Sequence, residues 1–155
     1  MHGAEKRGLS IFLFGNDQET ITDFIRKAKS DHPHLKIAGS IAPPFKNFTE
    51  EENKEFVRQI NESNAEIVFV SLGCPKQEIW MSENSKYINS VLLGFGGALT
   101  LYANKIKRAP VFMQKYCLEW LYRLIQEPGR LWKRYLVTNT LFIFYFVKQL
   151  FSRSK

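Results

Sequence analysis

Cysteine is scarce in this chain: Cys74 and Cys117 are the only two among 155 residues. Two thiols exclude a disulfide framework and a four-cysteine zinc site, and they suit a reducing compartment. Long apolar runs are also lacking. The nearest approach, Leu141–Val147 (LFIFYFV), falls well short of the ~18 apolar residues that span a bilayer, and Thr138, Asn139 and Thr140 precede it. The opening residues MHGAEKRGLS lack the apolar core of a secretory signal, so the expected location is cytoplasmic. Acidic residues nearly vanish in the last third, where Glu119 and Glu127 face 11 Lys and Arg over residues 101–155, a net of +9. Residues 1–100 carry a net of −2, so the overall +7 resides entirely in that last third and calls for an anionic partner: phosphate, anionic lipid or nucleic acid. What is plentiful is apolar: 45% hydrophobic and 24% charged residues are enough to bury a core. The length fits one domain, or one domain with an appendage.

The first hundred residues alternate between short apolar runs and amphipathic stretches. SIFLF (10–14) reads as a buried strand ending in the turn Gly15-Asn16-Asp17. A helix over 18–31 follows, with Ile21, Phe24, Ile25 and Ala28 on one face. LKIAGS (35–40) is a second strand, and the prolines of APPFKNF forbid a helix after it. Thr49 and Glu52 form a capping-box pattern at the head of a helix over 50–63 that buries Phe56, Val57 and Ile60. EIVFVS (66–71) is the third strand, followed by a helix with Pro75 near its first turn. Val91–Leu93 is the fourth, closed by Gly94-Phe95-Gly96-Gly97. Strands separated by helices at this spacing imply right-handed βαβ crossovers. Continuous apolar strands imply a parallel sheet covered on both faces. The expected fold is α/β, with residues 1–104 an open, Rossmann-like parallel sheet of at least four strands. Residues 105–155, with one glycine, two prolines and many aromatics and cations, form a helical appendage, read as two or three helices near 110–127, 130–136 and 138–151.

Ligands of open parallel sheets bind beyond the carboxyl ends of the strands. Three such turns here are rich in small residues: Gly15-Asn16, Gly73 through Glu78, and Gly94 with Gly96 and Gly97. Glycine admits close approach of a ligand to the backbone, and helix N-termini offer N–H groups to an anion, so a nucleotide diphosphate fits. Ordinary turn geometry accounts equally well for Gly15 and Gly94. Pro75, Lys76, Gln77 and Glu78 put a cation, an amide and a carboxylate into one helical turn, which reads equally as helix-start chemistry or as a ligand contact. There is no Walker A lysine pattern and no full dinucleotide fingerprint. His2, His32 and His34 lack metal-ligand spacing, and no Asp-x-Asp pair is present to hold a divalent cation under a sugar nucleotide, so no metal or other cofactor is expected.

In the appendage, Arg108, Arg123, Arg130, Lys133 and Arg134 stand near only two acids, which favours an anion site over a merely solvated face. On one continuous helix, residues 123, 130 and 134 would share a face, unless Pro128-Gly129 interrupts it. Trp120, Tyr122, Trp132, Tyr135, Phe142, Phe144, Tyr145 and Phe146 accompany the cations. That mixture describes an interfacial membrane anchor, a small helical core, or a nucleic-acid binder. The apolar end of the segment favours the membrane over nucleic acid.

The string Val68-Phe69-Val70-Ser71-Leu72-Gly73-Cys74-Pro75-Lys76-Gln77-Glu78 resembles the VGLGxPKQE signature of the WecG/TagA/CpsF glycosyltransferases. The resemblance continues through Gly94-Phe95-Gly96-Gly97, Lys107-Arg108-Ala109-Pro110, Leu118–Leu124 (LEWLYRL), Glu127-Pro128 with Arg130, and Arg134-Tyr135. It implies transfer of an N-acetylmannosamine-type sugar from a UDP donor to a polyprenyl-diphosphate-linked N-acetylglucosamine. The products are bacterial teichoic acid linkage units, surface antigen or capsule. It implies inverting, metal-independent chemistry at the inner face of the cell membrane. The sugar-nucleotide site falls on Gly15, Asn16, Gly73, Pro75, Lys76, Gln77, Glu78, Gly94, Gly96 and Gly97, and the diphosphate contacts on Arg123, Arg130, Lys133 and Arg134. The appendage would close over the site and hold the membrane. Lys133 stands where many relatives have arginine.

In one respect the chain departs from the family pattern. The family's proposed catalytic base is an aspartate in an Asp-Gly motif, in a segment that precedes the region matched here. Asp17, Asp23 and Asp31 lie in the wrong context to replace it, so the catalytic residue is expected upstream. The chain alone is then expected to hold the donor side, acting only as a UDP- or lipid-diphosphate-binding module unless a complementing fragment is present. Exposed apolar surface and self-association are further expectations.

Overall fold

A computed structural model of the chain describes residues 1–103, 109–126 and 128–152, except the side chains at 130, 134, 135, 147 and 150–152. The chain divides into two compact units, Met1–Lys107 and Arg108–Lys155.

The first unit runs α1 (His2–Lys6), β1 (Ser10–Gly15), α2 (Gln18–Asp31), β2 (Lys36–Ile41), α3 (Glu50–Glu62), β3 (Ile67–Ser71), α4 (Lys76–Asn84), β4 (Val91–Gly94) and α5 (Gly97–Tyr102). The four strands form one parallel sheet in the order β2-β1-β3-β4. The α/β architecture and the parallel sheet read from the sequence are therefore present, with α1 as an element the sequence did not announce. The order reverses between β1 and β3. One crossover leaves β1 toward β2, the other leaves β3 toward β4, and the crevice between their carboxyl ends is where such sheets bind ligands.

Burial follows from strand alternation. Ile11 and Leu13 of β1 face a core layer built with Ile21, Phe24 and Ala28 of α2 and Leu99 of α5. Phe12 and Phe14 face the opposite layer, with Ile60 of α3, Trp80 of α4, and Val68 and Val70 of β3. Phe14 lies against Trp80 with ring centroids 4.4 Å apart, and Phe69 stacks on Phe95 at 4.5 Å. The central strands are thus covered on both faces. The edge strands are not, although they too read as apolar: β4 exposes Val91 and Leu93 at 61% and 44%. An edge strand has one neighbour and borrows less cover.

Caps set the helix starts. The capping box on α3 is complete: Glu52 N–H donates to Thr49 Oγ1 (3.2 Å) and Thr49 N–H donates to Glu52 Oε2 (2.9 Å). Asp17 caps α2 by accepting from Thr20 N–H at 2.8 Å. Trp80 is fixed by a polar relay in which its Nε1–H donates to Asn53 Oδ1 (2.7 Å), Asn53 donates to Asn84 Oδ1 (2.7 Å), and Asn84 donates to the Trp80 carbonyl (2.8 Å).

The second unit contains α6 (Val111–Lys115), α7 (Glu119–Gln126) and α8 (Pro128–Ser152). It corrects two boundaries. The single helix expected near 110–127 is interrupted at Cys117, which adopts a φ of 57°. Leu118 N–H returns to the Met113 carbonyl (2.8 Å) and Cys117 N–H to the Gln114 carbonyl (3.2 Å), a Schellman closure with cysteine where glycine is usual. The break expected near residue 137 does not occur, because α8 is one helix with Pro128 at its first position, where a missing N–H is harmless. Glu127 and Arg108 lie outside the described residues. No helix among the described residues is long and apolar enough to cross a membrane.

Candidate functional site

The three turns singled out in the sequence converge at the carboxyl ends of β1, β3 and β4. Asn16, with φ of 71°, follows Gly15 at the end of β1. Its Nδ2 donates to Ser71 Oγ (3.3 Å) at the end of β3 and to Thr100 Oγ1 (3.1 Å) on α5. Ser71 Oγ donates in turn to the Gly96 carbonyl at 2.8 Å, and Phe95 N–H reaches the Val70 carbonyl at 2.7 Å. One asparagine and one serine thus lock the turns after β1, β3 and β4 into a single surface. Asn16 was a sequence candidate; Ser71 and Thr100 were not. The available signal was the hydroxyl closing the apolar run of β3.

The glycines divide by what surrounds them. Gly15 is buried, and a Cβ there would stand 2.5 Å from the Ser71 carbonyl carbon and oxygen, so close strand packing accounts for it. Gly94 and Gly96 leave room for Gln77, whose amide would be 3.1 and 3.3 Å from a Cβ at those positions. Gly73, at φ of 81°, and Gly97 face open space. These two remain open to close approach by a ligand.

Gln77 is the central side chain. It is 8% exposed, sits on the first turn of α4, and lies against Gly94 and Gly96. Its Nε2 donates to Glu78 Oε1 at 2.8 Å, while its Oε1 is buried with no hydrogen-bond partner among the described residues. A buried orphan acceptor costs free energy unless a donor arrives, which makes this oxygen a place for a ligand N–H or O–H. Pro75 follows a cis Cys74–Pro75 bond and precedes α4 without a side-chain cap. Lys76 turns to the 42–49 segment: its Nζ donates to the Lys46 carbonyl and lies 4.0 Å from the Phe48 ring centroid. That ammonium therefore pins the loop after β2 beside the site.

Asp17, Asp23 and Asp31 are engaged in bonds of their own, while Glu78 stays at the site as the acceptor of Gln77. Asp17 takes both the N–H and the hydroxyl of Thr20, at 2.8 and 2.7 Å. Asp23 pairs with Arg26 at 3.0 Å. Asp31, at the far end of α2, accepts from the Tyr102 hydroxyl at 2.7 Å. That bond holds Asp31 below the ordinary carboxylate range, while burial and the same bond push Tyr102 up to about 12. None has the free carboxylate at the turns that a base would need.

Of the expected diphosphate ligands, Arg123 lies on α7, half exposed, with an Nη2 3.9 Å from Glu119 Oε1. Lys133 is exposed on α8. Positions 130, 133 and 134 fall within little more than one turn of α8, and the side chains of Arg130 and Arg134 lie outside the described residues.

The fold and these strand-end turns define a parallel α/β unit, its central strands covered on both faces, with a crevice of the kind that binds ligands at the carboxyl ends of its strands. The chain belongs to the glycosyl transferase WecG/TagA/CpsF family, whose pattern it matches over residues 1–155. It is similar to the N-acetylglucosaminyldiphosphoundecaprenol N-acetyl-beta-D-mannosaminyltransferase of Bacillus subtilis (strain 168), with 36% identity over 135 residues, 86% of this chain and 50% of the relative. The enzyme of the same name from Bacillus spizizenii (strain ATCC 23059 / NRRL B-14472 / W23) is 31% identical over 134 residues, 86% of this chain and 50% of the relative. The chain thus spans about half the length of these curated relatives.

Proposed function

We propose that the chain provides the donor side of a glycosyltransferase that moves an N-acetylmannosamine-type sugar from UDP to a polyprenyl-diphosphate-linked N-acetylglucosamine. Family membership over the whole chain supports the reaction class, and the orphan Gln77 Oε1 between Gly94 and Gly96 carries the assignment of the site. In the reaction, an acceptor hydroxyl attacks the anomeric carbon and a new C–O bond forms. The bond from that carbon to the UDP β-phosphate oxygen breaks, and UDP leaves with the electron pair. A base takes the hydroxyl proton. Gln77, Glu78, Gly73 and Gly97 line the donor side, with Gly15, Asn16, Gly94 and Gly96 shaping it and Pro75 and Lys76 fixing its border. Arg123, Arg130, Lys133 and Arg134 neutralise the leaving diphosphate, in place of a metal cation.

The second unit also carries the membrane contact in this reading. Trp132, Leu136, Phe142, Ile143, Phe144, Tyr145 and Phe146 of α8 are all exposed, on a segment bearing excess positive charge. Aromatic and cationic groups together suit the interface of an anionic bilayer, where the lipid-linked acceptor resides.

The engagement of Asp17, Asp23 and Asp31 favours the second reading the sequence left open, a module that binds UDP or lipid diphosphate and transfers only with a complementing fragment. Calorimetry with UDP and a UDP-release assay with lipid-linked acceptor decide between these readings. We expect saturable UDP binding, weakened by Gln77→Leu and by Arg123→Ala, transfer only when the complement is supplied, and no loss of transfer on chelation. Absence of UDP binding defeats both readings. Turnover by the chain alone defeats the assignment of the base.

A further inference from the structure

The three histidines, which the sequence scatters without ligand spacing, meet around one carboxylate at the amino end of β1. Glu5 Oε1 accepts from the backbone N–H of His34 at 3.0 Å, and Glu5 Oε2 lies 3.0 Å from Nδ1 of His32. His2, three residues before Glu5 on α1, brings its ring centroid to 6.4 Å from that of His32. Ligand-type atoms of His2, Glu5 and His32 all lie within 4.8 Å of one another, the group of this kind found among the described residues. The Glu5–His32 bond accounts for two of these residues; for the exposed ring of His2, the described residues offer its approach to His32.

We propose that His2, Glu5 and His32 form a binding site for a divalent late first-row transition ion of the zinc class. Two imidazoles and one carboxylate are a donor set of borderline softness, suited to zinc or cobalt rather than to magnesium or calcium. With metal–ligand bonds of ~2.1 Å, neighbouring donors stand ~3.0 Å apart at right angles and ~3.4 Å apart in a tetrahedron. The 3.0 Å between Glu5 and His32 already meets this requirement. His2 is exposed, and a torsional swing of its ring closes the remaining gap. The His34 N–H holds the carboxylate in orientation from behind, as outer-shell donors do in metal sites.

The place of the site fixes its role. His32 lies at the carboxyl end of α2, and the turn at Asp17 lies at its amino end. Fourteen helical residues separate them, about 20 Å. The ion therefore takes no part in sugar transfer. It ties α1 to the turn between α2 and β2 and stabilises the folded chain by binding it selectively. This inference stands independently of the proposed transferase reading.

The test is titration of the full chain with Co2+, followed by calorimetry and by visible absorption, and repeated with Zn2+ in a thermal melt. We expect one saturable site, ligand-field bands without a thiolate charge-transfer band, and a rise in melting temperature. Binding should fall at least ~10-fold in each of His2→Ala, Glu5→Gln and His32→Ala. His2→Ala is the decisive variant, since an exposed ring can be removed without unfolding the chain. Three results overturn the proposal: no saturable binding, affinity unchanged in His2→Ala and His32→Ala, or a thiolate band that places the ion on Cys74 or Cys117.

Discussion

Replacing Gly15 by alanine tests whether β1 and β3 approach as closely at the candidate site as the structure shows. Two terms oppose alanine there. The φ of 115° lies in a region that L-residues avoid, at a cost of about 1–2 kcal/mol. The added Cβ would also lie 2.5 Å from backbone atoms of Ser71 and 3.0 Å from Leu72 N, and backbone in a central strand gives way poorly. Overpacking of that kind costs about 1–3 kcal/mol. The sum, about 2–5 kcal/mol, is a large share of the 5–15 kcal/mol that holds a typical domain folded. With a urea m-value of about 2 kcal/mol/M, the unfolding midpoint should fall by about 1–2.5 M. Gly73→Ala supplies the control: its φ of 81° carries the conformational term, but nothing lies within 4 Å. It should lose only that term, about 1–2 kcal/mol. Gly97→Ala, in helix and facing open space, should be neutral or slightly stabilising. Circular dichroism in urea measures all three, with amide exchange on β1 as the local check. Equal midpoints for Gly15→Ala and Gly73→Ala would refute the close approach and, with it, the packing explanation of Gly15.

Three further outcomes follow from the same geometry. Asn84→Ala should cost about 1–3 kcal/mol in urea unfolding, because Asn84 is 2% exposed and its loss leaves Asn53 and the Trp80 carbonyl short of a partner. Glu5, Asp31, Glu50, Glu52 and Glu66 are held below their ordinary range chiefly by side-chain hydrogen bonds, and Glu55 is brought down to about 2 by Arg58 and then Gln59. Depressed carboxylates contribute stability above their unfolded values and lose it as pH falls through the folded ones, so melting temperature should be level above pH ~5 and decline from there toward pH ~2; a rise on acidification would contradict the assignment. Phe142→Ser with Phe146→Ser removes two exposed, stacked rings from α8. At about 2 kcal/mol per buried ring, flotation with anionic vesicles should weaken at least ~30-fold, and unchanged flotation would exclude α8 as the contact.

The sequence made the strands and helices of the first unit readable because local chemistry and tertiary packing agree there. The run SIFLF is buried on both faces because β1 is central, and Thr49 and Glu52 cap α3 through bonds that span only three residues. Features that depend on distant residues were hidden. The exposure of Val91 and Leu93 follows from the edge position of β4, which pattern alone cannot assign. The stop at Cys117 uses a left-handed residue other than glycine, so it carried no mark. His2 and His32 lie thirty positions apart, and only the antiparallel return of α2 along β1 brings them together.

The site shows the same division at finer grain. Parallel strands all end on one side, so once the βαβ spacing is read, the turns after β1, β3 and β4 must share one edge of the sheet, and their small residues were legible as candidates. Their different roles were not. Glycine is chosen at position 15 by the backbone of Ser71, at 94 and 96 by the amide of Gln77, and at 73 by its own torsion angle, and a sequence writes all four with one letter. The polar residues separate in the same way. Asn16 and Ser71 spend their hydrogen bonds joining the turns to each other, whereas Gln77 keeps one acceptor buried and, among the described residues, unpaired. Variants of the first pair should therefore loosen the site and lower stability together. Gln77→Leu should lower UDP affinity while leaving the unfolding midpoint nearly unchanged, because an apolar side chain of similar length removes the orphan acceptor along with its cost.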